Sequence, residues 1–452
     1  MIPTEVKSWS GVAKVTARQW GTDSLRGRFA RGAVWSLVGT LVSQGANLVA
    51  FVITARLLGR AQFGAYGMIQ STVSMFGVFA GVGLGLTATK YVAELRATNP
   101  NRAGRIIALS TAAALGFSAF AALALLAVAP RLAASTLNAP QLSEELRIAS
   151  GVLFLNAVSG TQAGVLAGFE AFRSIARVNL GQGILTVPFA VGGALLWGLR
   201  GAVVGLVAVA VVGWVLNDIA IRAECRRNRV PVRWDRCWSD GAILLKFSLP
   251  AFLGGALTSP AMWAASSILV NQPHGYAQMG VFSAANQWRT AVAFLPALLS
   301  RPLLSILSNL GVGEAAAFRR LLRVSIMISF ALGVFTAAPL IIGSSWIMKA
   351  YGRDFEAGRS TLVVLALATV ISSTVAVIGQ AIASLDRMWW GFNFNLIWAL
   401  VLLSSASLLA PRYGALGLAG AFLLACSVHA LAVTAYMRFR VPSLDRLQCF
   451  GP

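Results

Sequence analysis

Apolar blocks about one bilayer thick alternate along this chain with short polar connections. Gly32 to Ala55, Ile106 to Ala129, Val178 to Leu199 and Thr361 to Leu385 each run for 20 or more residues without Asp, Glu, Lys or Arg. At about 1.5 Å per residue such a block crosses a hydrocarbon core of about 30 Å. In lipid every backbone N–H and C=O must be satisfied within the segment, so each block is expected to be a helix. The pattern predicts twelve spans, at about 32–55, 66–89, 106–129, 148–168, 178–198, 201–221, 242–270, 280–309, 322–347, 361–385, 391–410 and 414–436. Composition agrees: 57% of the 452 residues are hydrophobic and 12% charged, against roughly 25% charged in a soluble domain. The expected fold class is therefore an all-α polytopic membrane protein.

The net charge of +22 would point to nucleic acid if it were spread over one surface. Instead the Lys and Arg residues are sorted. Twenty-six of the 37 fall on alternate connections: the N-terminal tail, the turns after spans 2, 4, 8 and 10, the 222–246 segment and the C-terminal tail. Nine fall on the connections between, and Arg289 and Arg301 lie inside span 8. Basic residues mark the cytoplasmic side, which predicts both termini in the cytoplasm and excludes a nucleic-acid binder. The tail 1–31 lacks a short apolar core before a small-residue cleavage site, so span 1 reads as a retained anchor. Its stretch Trp9 to Trp20, with Lys14 and Arg18, suits either an anionic lipid surface or a solvated basic tail. Cys225, Cys237, Cys426 and Cys449 form no CxxC pair, and His274 and His429 are isolated, so neither a disulfide framework nor a metal site is indicated.

A repeat underlies the spans. Ala61-Gln62-Phe63-Gly64-Ala65-Tyr66 returns as Ala277-Gln278-Met279-Gly280-Val281-Phe282, 216 positions on. The same offset carries Ala167-Gly168-Phe169-Glu170 onto Ala383-Ser384-Leu385-Asp386, and Asn179 onto Asn395. Six spans on either side of the basic 222–246 segment fit two lobes, and an even number per lobe means both insert the same way round. The expected organisation is a tail (1–31), a first six-helix lobe (32–221), a linker (222–241) with Trp234 and Trp238 at headgroup level, a second lobe (242–437) and a tail (438–452).

The runs Trp35-Ser36-Leu37, Ala55-Arg56-Leu57-Leu58-Gly59, Phe63-Gly64-Ala65-Tyr66 and Gly81-Val82-Gly83-Leu84-Gly85-Leu86 resemble the opening of polysaccharide flippases. These are the O-antigen and exopolysaccharide repeat-unit translocases of the multidrug/oligosaccharidyl-lipid/polysaccharide exporter superfamily. The resemblance covers roughly the first 95 residues. It implies a two-lobed, MATE-like inner-membrane protein that moves undecaprenyl-pyrophosphate-linked oligosaccharide to the periplasmic leaflet by alternating access. It also brings in a polysaccharide polymerase and a chain-length regulator as partners. No cofactor is implied, and a coupling ion, H+ or Na+, is not identified.

Such transport needs a cavity that tolerates sugar and diphosphate, not bond-making residues. Charge in mid-membrane costs several kcal/mol, so Arg289 and Arg301, roughly 14 and 32 Å along span 8, are the first substrate-binding candidates. Their planar donor forks suit phosphate oxygens; pairing within the protein or snorkelling are the bland alternatives. Pro296 and Pro302 are expected to bend this span. Thr40, Ser43, Gln44, Asn47 and Thr54 share one face of span 1, suited to sugar hydroxyls or to gluing helices together. Gln70, Ser74, Gly77, Gly81 and Gly85 on span 2 read chiefly as a packing stripe. Asn179 with Gln182, Asn156 with Gln162, and Asn286 with Gln287 are further candidates. Arg56 is either a rim residue meeting the departing headgroup or an interface anchor. Asp218 allows a coupling role, but a salt bridge to Arg222 at i+4 explains it more simply.

Three other readings compete. A cation-coupled multidrug exporter would be expected to bury carboxylates, whereas the charges here are Arg. A peptidoglycan-precursor flippase is excluded only weakly. A membrane glycosyltransferase or polymerase needs a large extramembrane loop or clustered acids and His, and the longest connection here is about twenty residues and basic.

Overall fold

The computed structural model describes residues 25–81, 83–235, 237–241, 256–309, 315–385 and 388–440. Trp9 to Trp20, the start of span 7, Asp386 and the last twelve residues lie outside them. Seven helical stretches among the described residues are long and apolar enough to cross a membrane. Three of these each hold two spans joined at one glycine. The result is α1 (25–58), α2 (60–81, resuming as Leu84–Leu95), α3 (Pro100–Arg131), α4 (Ser143–Gly168), α5 (172–197) and α6 (199–227) in the first lobe. The second holds α7 (Thr258–Val270), α8 (Gly275–Asn309), α9 (Ala315–Ile342), a short rim helix Ser344–Tyr351, α10 (Arg359–Ser384), α11 (388–413) and α12 (415–440).

The repeat is visible in the geometry. α4 and α10 begin at Ser143 and Arg359 and end at Gly168 and Ser384, the same 216-residue offset as the sequence match. The glycine between α5 and α6, Gly198 (φ 57, ψ −134), has its twin in Gly414 (φ 56, ψ −128) between α11 and α12. Both lie where a Cβ is disfavoured; the first reversal also takes in Trp197 (φ −136, ψ 22), the second is made at Gly414. Around the first, Gly205 packs on the Phe189 carbonyl; around the second, the Ser405 hydroxyl reaches the Ala421 carbonyl at 3.5 Å. Gly59 (φ 71, ψ 172) turns α1 into α2 and brings Phe51 within 5.8 Å of Tyr66.

Several expected boundaries move. Span 9 was placed at 322–347, but α9 ends at Ile342, where Gly343 redirects the chain into the rim helix. The linker was placed from 222, yet α6 stays helical to Arg227 because Asn228 closes it by bonding back to the Glu224 carbonyl at 2.8 Å. α1 already begins at Leu25, inside the expected tail, and α12 continues to Arg440. Polar helix ends outside the hydrocarbon carry no apolar signal, which is why the sequence placed them short. The linker folds back on α3: Cys237 packs with Ala108 and Leu109, and Gly104 meets the Pro231 carbonyl.

A Cβ on Gly198 would meet only Gln62 Oε1, at an ordinary 3.8 Å, so its backbone angles alone oppose substitution. Gly198→Ala is expected to cost about 1–3 kcal/mol and to lower the thermal unfolding midpoint in detergent by a few degrees. Gly116→Ala, helical and equally unobstructed, should leave it unchanged or raise it. Equal midpoints for the two variants would remove strain from the account.

Candidate functional site

One rim of the molecule is closed by contacts between the lobes. At the α1–α2 corner Arg56 Nε donates to the Ala350 carbonyl at 2.5 Å, and Arg60 Nη1 to the Asp354 carbonyl at 3.1 Å. Asn271 Nδ2 donates to the Thr136 carbonyl (2.7 Å) and the Tyr276 hydroxyl to the Leu137 carbonyl (2.9 Å). Behind them Phe51, Phe63 and Tyr66 of the first lobe interlock with Tyr351 and Phe355 of the second, with ring centroids 5.6 to 6.4 Å apart. Deeper still, Trp263 Nε1 on α7 donates to Thr72 Oγ1 on α2 at 3.0 Å. Trp263 is seven residues from the end of α7, so the seal reaches about 10 Å inward.

At the centre of this rim the two copies of the repeated hexapeptide meet. A Cβ on Gly64 would collide with the Tyr276 carbonyl, and one on Gly280 with the Arg60 carbonyl. Arg60 and Tyr276 are themselves 216 apart, so the contact is reciprocal, as a two-fold relation between lobes requires. Sequence reasoning found the hexapeptide but not its role. The signal was present: the best match between the halves marks the point where they touch.

Away from the rim a cleft of about 740 Å³ opens between α2 and α4, lined by Ser74, Gly77, Gly81, Gly83, Gly85, Thr89, Asn156, Gly160, Thr161 and Gly164 among others. The α2 stripe expected to serve packing therefore mainly lines space. Only Gly85 is also a close packing position, against Gly160 and Gly164. α2 breaks beside the cleft, with Gly83 left-handed (φ 66) as the cap of Leu84–Leu95. The sequence reading continued span 2 through this point, because two glycines in an apolar run carry no hydropathy signal.

Beneath the aromatic seal lies a smaller chamber of about 250 Å³. Its polar lining is Asn47, Thr54, Tyr66, Asn156, Gln182, Thr186 and, from the second lobe, Gln287. Neutral amides and hydroxyls of this kind match the donors and acceptors of sugar hydroxyls. Of the α1 face, Asn47 and Thr54 line this chamber, while Ser43 lies against Gly183. Gln44 is exposed, Gln70 and Asn179 are half-buried, and none of the three lines either cavity.

Arg289 projects from α8 two residues beyond Gln287. Its Nη1 donates to Asn286 Oδ1 at 3.0 Å, and its guanidinium lies 4.2 Å from the centroid of the Phe422 ring on α12. Nε is buried without a partner among the described residues. No carboxylate among the described residues neutralises it, and it lines neither cavity. The Arg301 side chain lies outside the described residues; around it α8 remains helical from Gly275 to Asn309. Asp218 pairs with Arg222 at 2.7 Å, as the i+4 spacing suggests, and Glu170 pairs with Arg96 at 2.6 Å.

Paired lobes of membrane-length helices, a cleft in the first lobe and a polar chamber reaching the second define a membrane transporter. The chain belongs to the polysaccharide biosynthesis protein family, whose model matches residues 29–301. It is 28% identical over 406 residues to the EPS I polysaccharide export inner membrane protein EpsE of Ralstonia nicotianae, covering 87% of this chain and 89% of that protein. To the lipid III flippase of Escherichia coli it is 24% identical over 405 residues, 87% of this chain and 94% of the relative. Among solved structures it resembles an inward-facing multidrug MATE transporter of the MOP superfamily (TM-score 0.72, 15% identity, 92% of this chain and 99% of that one). An outward-facing one gives a TM-score of 0.67 at 16% identity, over 92% and 96% of the two chains.

Because backbone opposes backbone at the rim centre, Gly64→Ala and Gly280→Ala should each wedge the lobes apart there. A cysteine at Thr54, buried in the closed rim, is expected to react with a hydrophilic maleimide at least about tenfold faster in either Ala background than in the parent. Unchanged reactivity in both would show that the rim does not depend on this contact.

Proposed function

We propose that the protein is a flippase for undecaprenyl-pyrophosphate-linked oligosaccharide in the inner membrane, carrying the repeat unit from the cytoplasmic to the periplasmic leaflet. The observation that carries this reading is Arg289: a guanidinium within a membrane-spanning helix, with one buried donor free and no carboxylate partner among the described residues. Such a charge is costly in lipid and favours an anionic ligand. The amide-lined chamber, which Gln287 of the same helix reaches, suits the uncharged glycan. The names of the relatives, a polysaccharide export protein and a lipid III flippase, point the same way. A multidrug exporter of cations fits less well, since the buried charge on α8 is positive.

In this reading the lobes 32–221 and 242–437 rock about the 222–241 linker, both termini face the cytoplasm, and the sealed rim is periplasmic. Arg289 and Arg301 meet the diphosphate, Asn47 and its neighbours meet sugar hydroxyls, and the cleft between α2 and α4 is the cytoplasmic entrance. Gln44, Gln70 and Asn179 come to face substrate only in other positions of the cycle. Asp218, tied to Arg222 at the membrane edge, is not given a coupling role. A polymerase and a chain-length regulator would act on the delivered units.

Deleting the gene should leave lipid-linked repeat units facing the cytoplasm; normal surface polysaccharide in the deletion strain would contradict the proposal. Arg289→Ala should abolish export at equal protein level, while Arg289→Lys, still cationic but without the planar fork, retains part of it. Full export by the Ala variant would remove Arg289 from the site. Cysteines at His274 and Thr98 should label from opposite faces of the membrane, and labelling from a single face would overturn the orientation.

A further inference from the structure

The two arginines of the sealed rim hold neutral partners. Arg56 and Arg60 each donate to one backbone carbonyl of the other lobe, and no carboxylate pairs with either among the described residues. A guanidinium carries five N–H donors, so most of each fork is unused. The Ala350 carbonyl sits in the last turn of the rim helix Ser344–Tyr351, where C=O groups lack intrahelical partners and the helix dipole is negative. This place attracts a cation but holds it weakly. A phosphate offers full negative charge and paired oxygens that fit the guanidinium fork, which a single carbonyl does not. Arg56 is exposed and Arg60 partly so; both can be reached without dismantling the aromatic seal behind them.

We propose that Arg56 and Arg60 form a phosphate-exchangeable latch. A diphosphate at the outer face of the rim takes the two guanidiniums from the Ala350 and Asp354 carbonyls, and so holds the lobes apart there once the aromatic seal and the Gly64–Gly280 contact have parted. The open rim is favoured while the departing headgroup occupies that face, and it recloses when the anion leaves. This rests on the reading of the cargo as an anionic glycolipid, and it assigns that cargo a second phosphate contact, on the exit side of Arg289.

Spin labels at Leu57→Cys and Glu356→Cys, both exposed positions flanking the latch, report the rim width in proteoliposomes. The cysteine-free parent for this pair must retain export. Without added anion the distance distribution should be short. Polyprenyl pyrophosphate in the membrane should raise the long-to-short ratio about tenfold or more. Inorganic pyrophosphate alone will do the same if the headgroup suffices, and will not if the lipid must present it; either outcome with the lipid positive supports the latch. Arg56→Gln/Arg60→Gln should be about tenfold more open without anion, as the loss of two hydrogen bonds implies, and indifferent to it. Arg56→Lys/Arg60→Lys, which keeps the charge, should close and retain a weaker response. A parent that ignores the lipid diphosphate, or a Gln variant that responds as the parent does, overturns the latch. Should the Gln variant fail to fold, the parent and Lys arms decide. An anion-indifferent rim in a protein that still exports glycolipid sinks the latch alone; a responsive rim in a protein that exports none sinks the function alone.

Discussion

The contact between Gly64 and Gly280 is the constraint on which the closed rim rests. Nothing but hydrogen projects from either residue, so the backbones of two lobes approach as closely as the helices of one. Helices in lipid gain no hydrophobic drive toward one another and associate through small-residue packing and polar contacts. A glycine pair on the pseudo-two-fold axis lets opposing carbonyls come near while aromatic rings and arginines close the space around it. Either lobe alone would present this surface unmatched. Away from that face, the first lobe opens a cleft between α2 and α4.

Polar groups are distributed with the same economy. Thr and Ser hydroxyls within the spans bond chiefly back to their own helices, as Thr72, Thr369 and Thr374 do. Side chains that cross between lobes concentrate at the rim. The amides around the small chamber come from α1, α4, α5 and α8, so no single helix carries them. Positive charge is kept at Arg289 and, at the rim, on residues whose partners are carbonyls. That arrangement favours an anion moving past neutral walls between two cationic stations.

Much of this was legible in the residues. Twelve apolar blocks imply the helices, because a single chain segment in hydrocarbon satisfies its backbone that way, and the 216-residue offset implies two lobes. The i, i+4 spacing of Asp218 and Arg222 gave their salt bridge. What escaped was geometry that hydropathy does not encode. The reversals at Gly198 and Gly414 look like any glycine in an apolar run, and so does the break of α2 at Gly83. The partners of Arg56 and Arg60 lie 294 residues away and are main-chain atoms, invisible to any side-chain pattern. Within the site, Asn47 was singled out for its helical face and does line the chamber. Gln44 and Gln70 shared the same polar character but line neither cavity. Asn156, Gln182 and Gln287, ranked lower, were brought together by packing among helices that no local spacing relates.

The central claim is that cargo crosses only when the closed rim parts. Joining Leu57→Cys and Glu356→Cys with a short reducible cross-linker, in proteoliposomes that translocate a fluorescent lipid-linked oligosaccharide, tests it directly. The account predicts that translocation stops on cross-linking and returns on reduction. Undiminished translocation with the rim stapled shut would contradict it.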